Sequence, residues 1–237
     1  MDVSFANLAL TPEETTALLL SLRVAGLATL ASIPFGLLAA WLLARKQFAG
    51  KALLDALIHL PLILPPVVTG YLLLLLFGRR GPLGAWLAEN LGIVFAFRWT
   101  GAALACAVMG FPLMVQAFRL ALLSVDRKLE QAASTLGASP VVVFVTVTLP
   151  LMLPGLLAGI VLSYARAVGE FGATITFVSN IPGETQTLPV AIHVFLQQPD
   201  GDAAAIRLVV ISILLAFAAL ITSEILSRRA AKLVSGQ

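Results

Sequence analysis

The sequence has little charge. Lysine and arginine number 15, and aspartate and glutamate 12, among 237 residues, so 11% of the chain is charged, against about 25% in soluble domains. Hydrophobic residues make up 59%. So few charged side chains cannot cover a globular surface, and this excludes an ordinary soluble domain. We expect lipid to surround most of the protein.

Residues that build metal and catalytic sites are also scarce. The one cysteine, Cys106, lies in an apolar segment, which excludes an internal disulfide and a multi-cysteine metal site. Two histidines, His59 and His193, are too few for a metal cluster, and no Ser-His-Asp set can be argued. The chain has no G-x-x-x-x-G-K-[ST] loop for ATP. We expect no catalytic residue, metal or cofactor in this chain.

Long apolar runs are what the sequence has instead. A helix of roughly 20 residues crosses a hydrocarbon core of about 30 Å. The predicted spans are 24–44, about 60–77, about 100–118, a stretch within 141–165, and about 208–223. The runs do not alternate with period two, which argues against a transmembrane barrel. The sequence predicts an all-α, polytopic bundle of about five spans over 15–228, in one domain covering 1–237.

Prolines mark one predicted span as irregular. The segment "HLPLILPPVVTG" carries Pro61, Pro65 and Pro66. In a membrane bundle, neighbouring helices can satisfy the carbonyl groups that a proline frees, so kinks are tolerated. We expect the second span to be bent or to start late.

Basic residues indicate the orientation and account for the net charge of +3. They follow spans one, three and five: Arg45, Lys46, Lys51, Arg119, Arg127, Lys128, Arg228, Arg229 and Lys232. The positive-inside tendency then places the N-terminus outside and the C-terminus inside. Arg79, Arg80 and Arg98, on an outer connection, are exceptions to this rule. Because the basic residues adjoin spans, they indicate membrane orientation and not a nucleic-acid partner.

The stretch 171–199 is fairly apolar but interrupted by polar residues, proline and glycine. If it crossed the membrane, the basic C-terminus would lie outside. We therefore expect an outer loop with short or re-entrant pieces, "FGATITFVSN" and "TLPVAIHVFLQQ". Such backbone survives at membrane depth only when buried in protein or facing a wet cavity.

A short amphipathic helix is predicted over 127–139, on the inner side between spans three and four. Its apolar positions follow helical spacing, and they are Leu129, Ala132, Ala133 and Leu136. Gly137 is suited to the helix end, and Pro140 follows. From periodicity alone, a docking surface and a lipid-surface helix are both open.

The spacing in this segment resembles the EAA loop of bacterial ABC importer permeases. That signature is Glu-Ala-Ala, then three residues and a glycine, and later a hydrophobic-x-Leu-Pro ending. The matching residues here are Gln131, Ala132, Ala133, Gly137, Val147, Leu149 and Pro150. The resemblance implies a coupling helix that docks on a cytoplasmic ATPase, with Glu130, Gln131, Ala132, Ala133, Leu136 and Gly137 in contact. Gln131 departs from the signature, which has glutamate there; Glu130 precedes it.

Longer stretches resemble molybdate importer permeases, and sulfate permeases less closely. The stretches are "GKALLDALIHLPLILPPVVTGYLLLLLFGRRG", "FPLMVQAFRLALLSVDRKLEQAASTLGAS" and "ARAVGEFGATITFVSNIPGETQTLPVAI". The resemblance covers the chain from about residue 15 and implies a fold of the MetI-like importer permease type. It also implies a multi-pass protein of the bacterial inner membrane.

The same resemblance implies partners. They are a second copy in a homodimer, two cytoplasmic ATPase subunits that bind ATP and magnesium, and a molybdate-binding protein outside. Binding and hydrolysis of ATP would then rock the bundle between inward-open and outward-open states, a two-state element biased from both faces.

Polar residues after span four are candidates for the translocation path or its gate: Arg166, Glu170, Thr174, Thr176, Ser179 and Asn180. Arg166 and Glu170 lie one helical turn apart, so they are also consistent with an ion pair at the lipid interface.

Other functions remain open on the residues alone. Sulfate, tungstate and molybdate are near-isosteric dianions that this sequence cannot rank physically. An ion-coupled secondary carrier would show internal repeats and ionisable residues in mid-span, and neither is clear. A membrane-embedded enzyme would need a convergent catalytic set.

Overall fold

A computed structural model describes the backbone of residues 9–235 and the side chains of residues 9–229, so the side chain of Lys232 lies outside it. The helices are α1 (Pro12–Arg45), α2 (Lys51–Ile63), α3 (Pro66–Phe77), α4 (Pro82–Leu91), α5 (Trp99–Ser124), α6 (Arg127–Thr135), α7 (Pro140–Val143), α8 (Leu149–Val168), α9 (Gly172–Val178), α10 (Leu188–Phe195) and α11 (Asp202–Ser235). A π-helical turn, Phe144–Thr148, joins α7 to α8. Residues 9–235 contain no strand, and the all-α prediction is confirmed.

Among the residues that the structure describes, four continuous helical runs are long and apolar enough to cross a membrane: α1, α5, the run Pro140–Val168 and α11. They correspond to predicted spans one, three, four and five. The predicted second span is the pair α2 and α3, bent by 117° at the prolines, so the predicted bend is confirmed. The protein is therefore multi-pass, with a fifth span if this bent pair crosses.

Local sequence explains where α1 begins. Thr11 and Glu14 form a capping box: the Thr11 hydroxyl accepts from the Glu14 N–H at 3.3 Å, and the Thr11 N–H donates to the Glu14 carboxylate at 2.9 Å. Pro12 at the first helical position costs no hydrogen bond there. The helix then continues through Pro34 to Arg45.

The core is centred on α5, which packs against α1 and α8. Its buried residues are mostly small, as in "GAALACA", and include Ala102 and Ala105 against Ala25 and Ala28 of α1. Small side chains let membrane helices approach closely, so their packing replaces the hydrophobic driving force that lipid removes.

The bundle has two ends, which we call the α6 end and the far end. Arg45 at the end of α1 contacts Glu130 of α6, and Ser227 of α11 donates to the Pro154 carbonyl near the start of α8. At the far end, Glu14 of α1 pairs with Arg207 of α11. Spans one, three and five therefore run from the far end to the α6 end, and span four runs in the opposite direction, as predicted.

Two cation–π pairs mark opposite parts of α1. The Arg23 guanidinium lies 3.8 Å from the ring centroid of Trp99, at the start of α5. The Lys46 ammonium lies 5.0 Å from the ring centroid of Trp41, near the α6 end. Tryptophan and cations of this kind concentrate where a membrane meets water.

The stretch 171–199 forms two short helices and not a span. Helices α9 and α10 have seven and eight residues, fewer than a crossing needs. Helix α9 packs on α3 and α5, and α10 packs on α1 and α11. Burial within the protein is the condition under which irregular backbone is tolerated at membrane depth.

Candidate functional site

Helix α6 begins and ends with well-defined caps. The Asp126 carboxylate accepts from the Lys128 N–H at 2.9 Å at the start. After Thr135, Gly137 adopts φ +87°, and the next N–H, of Ala138, donates to the Ala133 carbonyl at 3.2 Å. A Cβ at Gly137 would meet nothing within 4 Å, so glycine is favoured there for its left-handed backbone alone.

The apolar face of α6 is open. Leu136 is 89% exposed, Leu129 and Ala132 are exposed, and Ala133 is half-buried. No residue of α6 is buried by the described part of the chain. An uncovered row of leucine and alanine between polar residues is typical of a surface that another molecule covers.

The two polar residues of the candidate coupling set point differently. Gln131 is exposed beside the apolar face. The Glu130 carboxylate instead accepts from Arg45 at 2.8 Å and from the Thr148 hydroxyl at 2.7 Å. Glu130 is thus engaged with its own chain, whereas Gln131 is free to meet a partner. The sequence placed the two side by side and could not separate them.

Arg166 and Glu170 do pair, and Glu170 is buried whereas Arg166 is half-buried. The Arg166 guanidinium is 2.5 Å from Glu170 Oε2, and the Glu170 side chain is 1% exposed. Glu170 Oε1 also accepts from the Ala173 N–H at 2.8 Å, in the first turn of α9. The ion pair and the hydrogen bond together make Glu170 the anchor of α9 to the end of α8.

The other candidate path residues lie on α9 and just after it. The hydroxyl groups of Thr174 and Thr176 donate to the backbone carbonyls of Phe171 and Gly172 at 2.8 and 2.7 Å. Ser179 is exposed with φ +64°, and the Asn180 side-chain oxygen is buried without a hydrogen-bond partner among the described residues. Of the six, Asn180 therefore retains an acceptor that nothing in the described chain uses.

The structure thus gathers the candidates into two groups at different ends. The coupling residues lie on and beside α6, and Arg166 through Asn180 lie near the far end. Sequence reasoning missed the ion pair of Arg119 with Asp55, at 3.3 Å, which joins α5 to α2. It also missed Thr69, whose buried hydroxyl has no partner among the described residues. The spacing of these residues along the chain gives no signal of either feature.

Helix α3 crosses α9 at Gly70, a close approach that the sequence did not reveal. A Cβ on Gly70 would lie 2.5 Å from the Ala173 carbonyl oxygen and 2.9 Å from its Cα. Both atoms belong to backbone, so no side-chain movement can relieve the overlap. The second predicted span and the candidate path region are therefore held together by this contact.

Gly70→Ala is expected to destabilise the protein by about 1–3 kcal/mol, because it forces α3 and α9 apart. Thermal unfolding of the purified protein in detergent measures the effect. Gly26→Ala is the matched control: it lies in helix α1 and its Cβ would meet nothing within 4 Å. The control should be neutral or more stable, since alanine favours helix over glycine by about 1 kcal/mol. Equal melting temperatures for the two variants would contradict the close crossing.

Comparisons with known proteins agree with this architecture. A family profile described as "Binding-protein-dependent transport system inner membrane component" matches residues 32–232. The chain is 61% identical over 219 residues to the "Molybdenum transport system permease protein ModB" of Escherichia coli K12, covering 92% of this chain and 96% of the relative. It is 55% identical over 219 residues to the protein of the same name from Haemophilus influenzae, with the same coverage.

A solved structure gives the same fold at low sequence identity. It is a "bacterial alginate ABC transporter in complex with alginate pentasaccharide-bound periplasmic protein". The TM-score is 0.73 at 17% identity, covering 94% of this chain and 81% of that chain. This likeness supports the fold alone.

Proposed function

The chain belongs to the family of binding-protein-dependent transport system inner membrane components, and on that premise we propose that it is the membrane-spanning permease subunit of an ATP-driven molybdate importer in the bacterial inner membrane. The observation that carries the proposal is the 61% identity, over 92% of this chain, to a permease named for molybdenum transport. The helical fold with an uncovered α6 supports the same conclusion.

Two surfaces of the chain fit partners of different kinds. The apolar face of α6 would lie in a cleft of a cytoplasmic ATPase, one for each copy of the permease. The far end would receive molybdate from a binding protein outside the cell. In the proposed orientation the N-terminus is outside and the C-terminus inside. The α6 face then lies in the cytoplasm, and the far end lies outside the cell.

The proposed mechanism is alternating access in a homodimer with the pathway between the copies. ATP binding closes the ATPase pair and draws each α6 with it, so the bundles tilt from inward-open to outward-open. Hydrolysis and product release return them. The permease itself contributes no step of ATP chemistry, and its role is to convert the movement of α6 into access at the opposite membrane face.

The path region fits weak and reversible contact with a dianion. Glu170 neutralises Arg166, so this pair offers no free cation that would retain molybdate. The unused Asn180 acceptor and the exposed Ser179 hydroxyl follow the other end of α9. We propose that this segment lines or gates the path, with hydroxyl groups and backbone amides as the contacts.

The test is uptake of labelled molybdate by proteoliposomes that contain the permease and its ATPase, with the binding protein added outside. Uptake should require ATP enclosed in the vesicles, on the side opposite the binding protein. It should stop when the ATPase is inactive. Excess unlabelled molybdate and tungstate should compete more strongly than sulfate. Uptake that needs no nucleotide and follows a proton gradient would identify a secondary carrier instead. Uptake of labelled sulfate without uptake of labelled molybdate would identify a sulfate permease.

A further inference from the structure

One carboxylate oxygen joins three elements at the α6 end. Glu130 Oε1 accepts from Arg45 Nη2 at 2.8 Å and from the Thr148 hydroxyl at 2.7 Å. Arg45 is the last residue of α1, and Thr148 is the last residue of the π-helical turn. The same Arg45 nitrogen also contacts the Leu122 carbonyl of α5, at 3.4 Å.

This cluster differs from an ordinary surface ion pair. The side chains of Arg45 and Glu130 are 12% and 22% exposed, and Thr148 is 2% exposed. By contrast, Arg228 and Glu224 pair within one helix and are 76% and 63% exposed. Exposed pairs of that second kind contribute little to structure. A shielded pair with further hydrogen bonds fixes geometry, since breaking it leaves a charge unpaired.

The connections of the chain show what this cluster adds. The backbone joins α6 directly to α5 on one side and to α7 on the other. Helix α1 is not a chain neighbour of α6, and Arg45 is 85 residues away from Glu130. The Glu130 carboxylate therefore gives α6 a direct polar contact with α1, beside the indirect route through α5 and α8.

Helix α1 is suited to carry such a displacement across the molecule. It packs against both α5 and α8. At its far end, the fully buried Glu14 pairs with Arg207 of α11 at 2.6 Å. One acid–arginine pair therefore ties each end of α1 to another element, so that α1 connects α6 to α11.

The other partner of Glu130, Thr148, lies at an irregular point of span four. Thr148 closes the π-helical turn Phe144–Thr148, between α7 and α8. Turns of this kind are rare and occur frequently at functional sites. The Glu130 carboxylate therefore contacts span four at the place where its helical winding changes.

We propose that Glu130 is a positioning residue that transmits movement of α6 to α1 and to the π-helical turn, and that its carboxylate faces these elements and not the ATPase. The proposal deepens the proposed function, because it rests on α6 being the coupling helix. It separates Glu130 from Gln131 and the apolar face, which remain the docking surface.

The first test needs the permease alone. In a Cys106→Ala background, spin labels are placed at the exposed positions of Lys46→Cys and Thr135→Cys, next to α1 and on α6. We expect one narrow distance distribution in this parent and a broadened or shifted one after Glu130→Gln. Glu224→Gln removes a glutamate from the exposed pair in α11 and should leave the distribution unchanged. An unchanged distribution in Glu130→Gln would overturn the proposal, whatever the protein transports.

The second test measures coupling in the reconstituted transporter. Glu130→Gln should retain the parental amount of bound ATPase, while molybdate taken up per ATP hydrolysed falls about fivefold or more, the lower range for coupling between sites. The charge-reversed double variant, Arg45→Glu with Glu130→Arg, should recover part of the loss and excludes simple misfolding. A parental ratio, or loss of the ATPase from the complex, would overturn the proposal. Absence of uptake in the wild type would refute the proposed function, and the distance measurement would still decide the role of Glu130.

Discussion

Ala132→Asp is expected to abolish association of the permease with its ATPase, and with it all ATP-driven uptake, while the variant still inserts into the membrane. Ala132 is exposed on α6 between two exposed leucines, Leu129 and Leu136. A small side chain there lets a partner surface approach closely. A carboxylate would be buried without a partner, at a cost of at least about 3 kcal/mol, or about a hundredfold in affinity.

Retention of the ATPase on the purified permease measures this effect. Ala203→Asp provides the matched control, because Ala203 is an exposed alanine in the first turn of α11, at the far end. It should retain the ATPase at the wild-type level. Normal retention by Ala132→Asp as well would show that α6 is not the docking surface.

Glu170→Ala is expected to destabilise the far end by about 3–5 kcal/mol, the cost of breaking a buried ion pair from one side. The change removes the partner of Arg166 and the acceptor of the Ala173 N–H together. Helix α9 would lose its anchor to α8, so candidate path residues such as Asn180 would be displaced with it.

Thermal unfolding and limited proteolysis of the purified protein measure this loss. Glu224→Ala, at an exposed ion pair, should change stability by less than about 1 kcal/mol. Glu170→Gln keeps an acceptor for the Ala173 N–H but removes the negative charge. It therefore separates the structural role of Glu170 from a role in the gate. If it is as stable as the wild type but alters oxyanion uptake, Glu170 acts in the gate. If Glu170→Ala is as stable as Glu224→Ala, the role of Glu170 as a buried anchor is refuted.

The helical bundle was predictable because it depends on the length and apolarity of segments. Both quantities can be read directly from the chain, and they located every span, although α1 begins well before the predicted residue 24 and α11 ends well after the predicted residue 223. The prolines of "HLPLILPP" predicted a bend between α2 and α3, although not its angle. The helix at α6 was predictable from its spacing and from Gly137, since one residue type suits that backbone.

The direction in which side chains point was not predictable. Glu130 and Gln131 are neighbours in sequence, and their different roles depend on Arg45 and Thr148, which are 85 and 18 residues from Glu130. Burial of Glu170 depends likewise on how α9 folds back. Helix α4 lies in the connection between the second and third predicted spans and was not predicted, although Pro82 at its start and Gly92 with φ +67° after its end are signals for a short helix.

The two cation–tryptophan pairs on α1 set a length that a bilayer must match. Residues 24–44, between Arg23 and the basic residues at the α6 end, form a helical segment about 31 Å long at ~1.5 Å per residue, close to the ~30 Å of a typical hydrocarbon core. Thinner or thicker membranes would therefore tilt α1 or deform the surrounding lipid, at a fraction of a kcal/mol per Å. Because α1 is tied to α6 at one end and to α11 at the other, the acyl-chain length of the host membrane acts on the same helix that links the two faces of the protein.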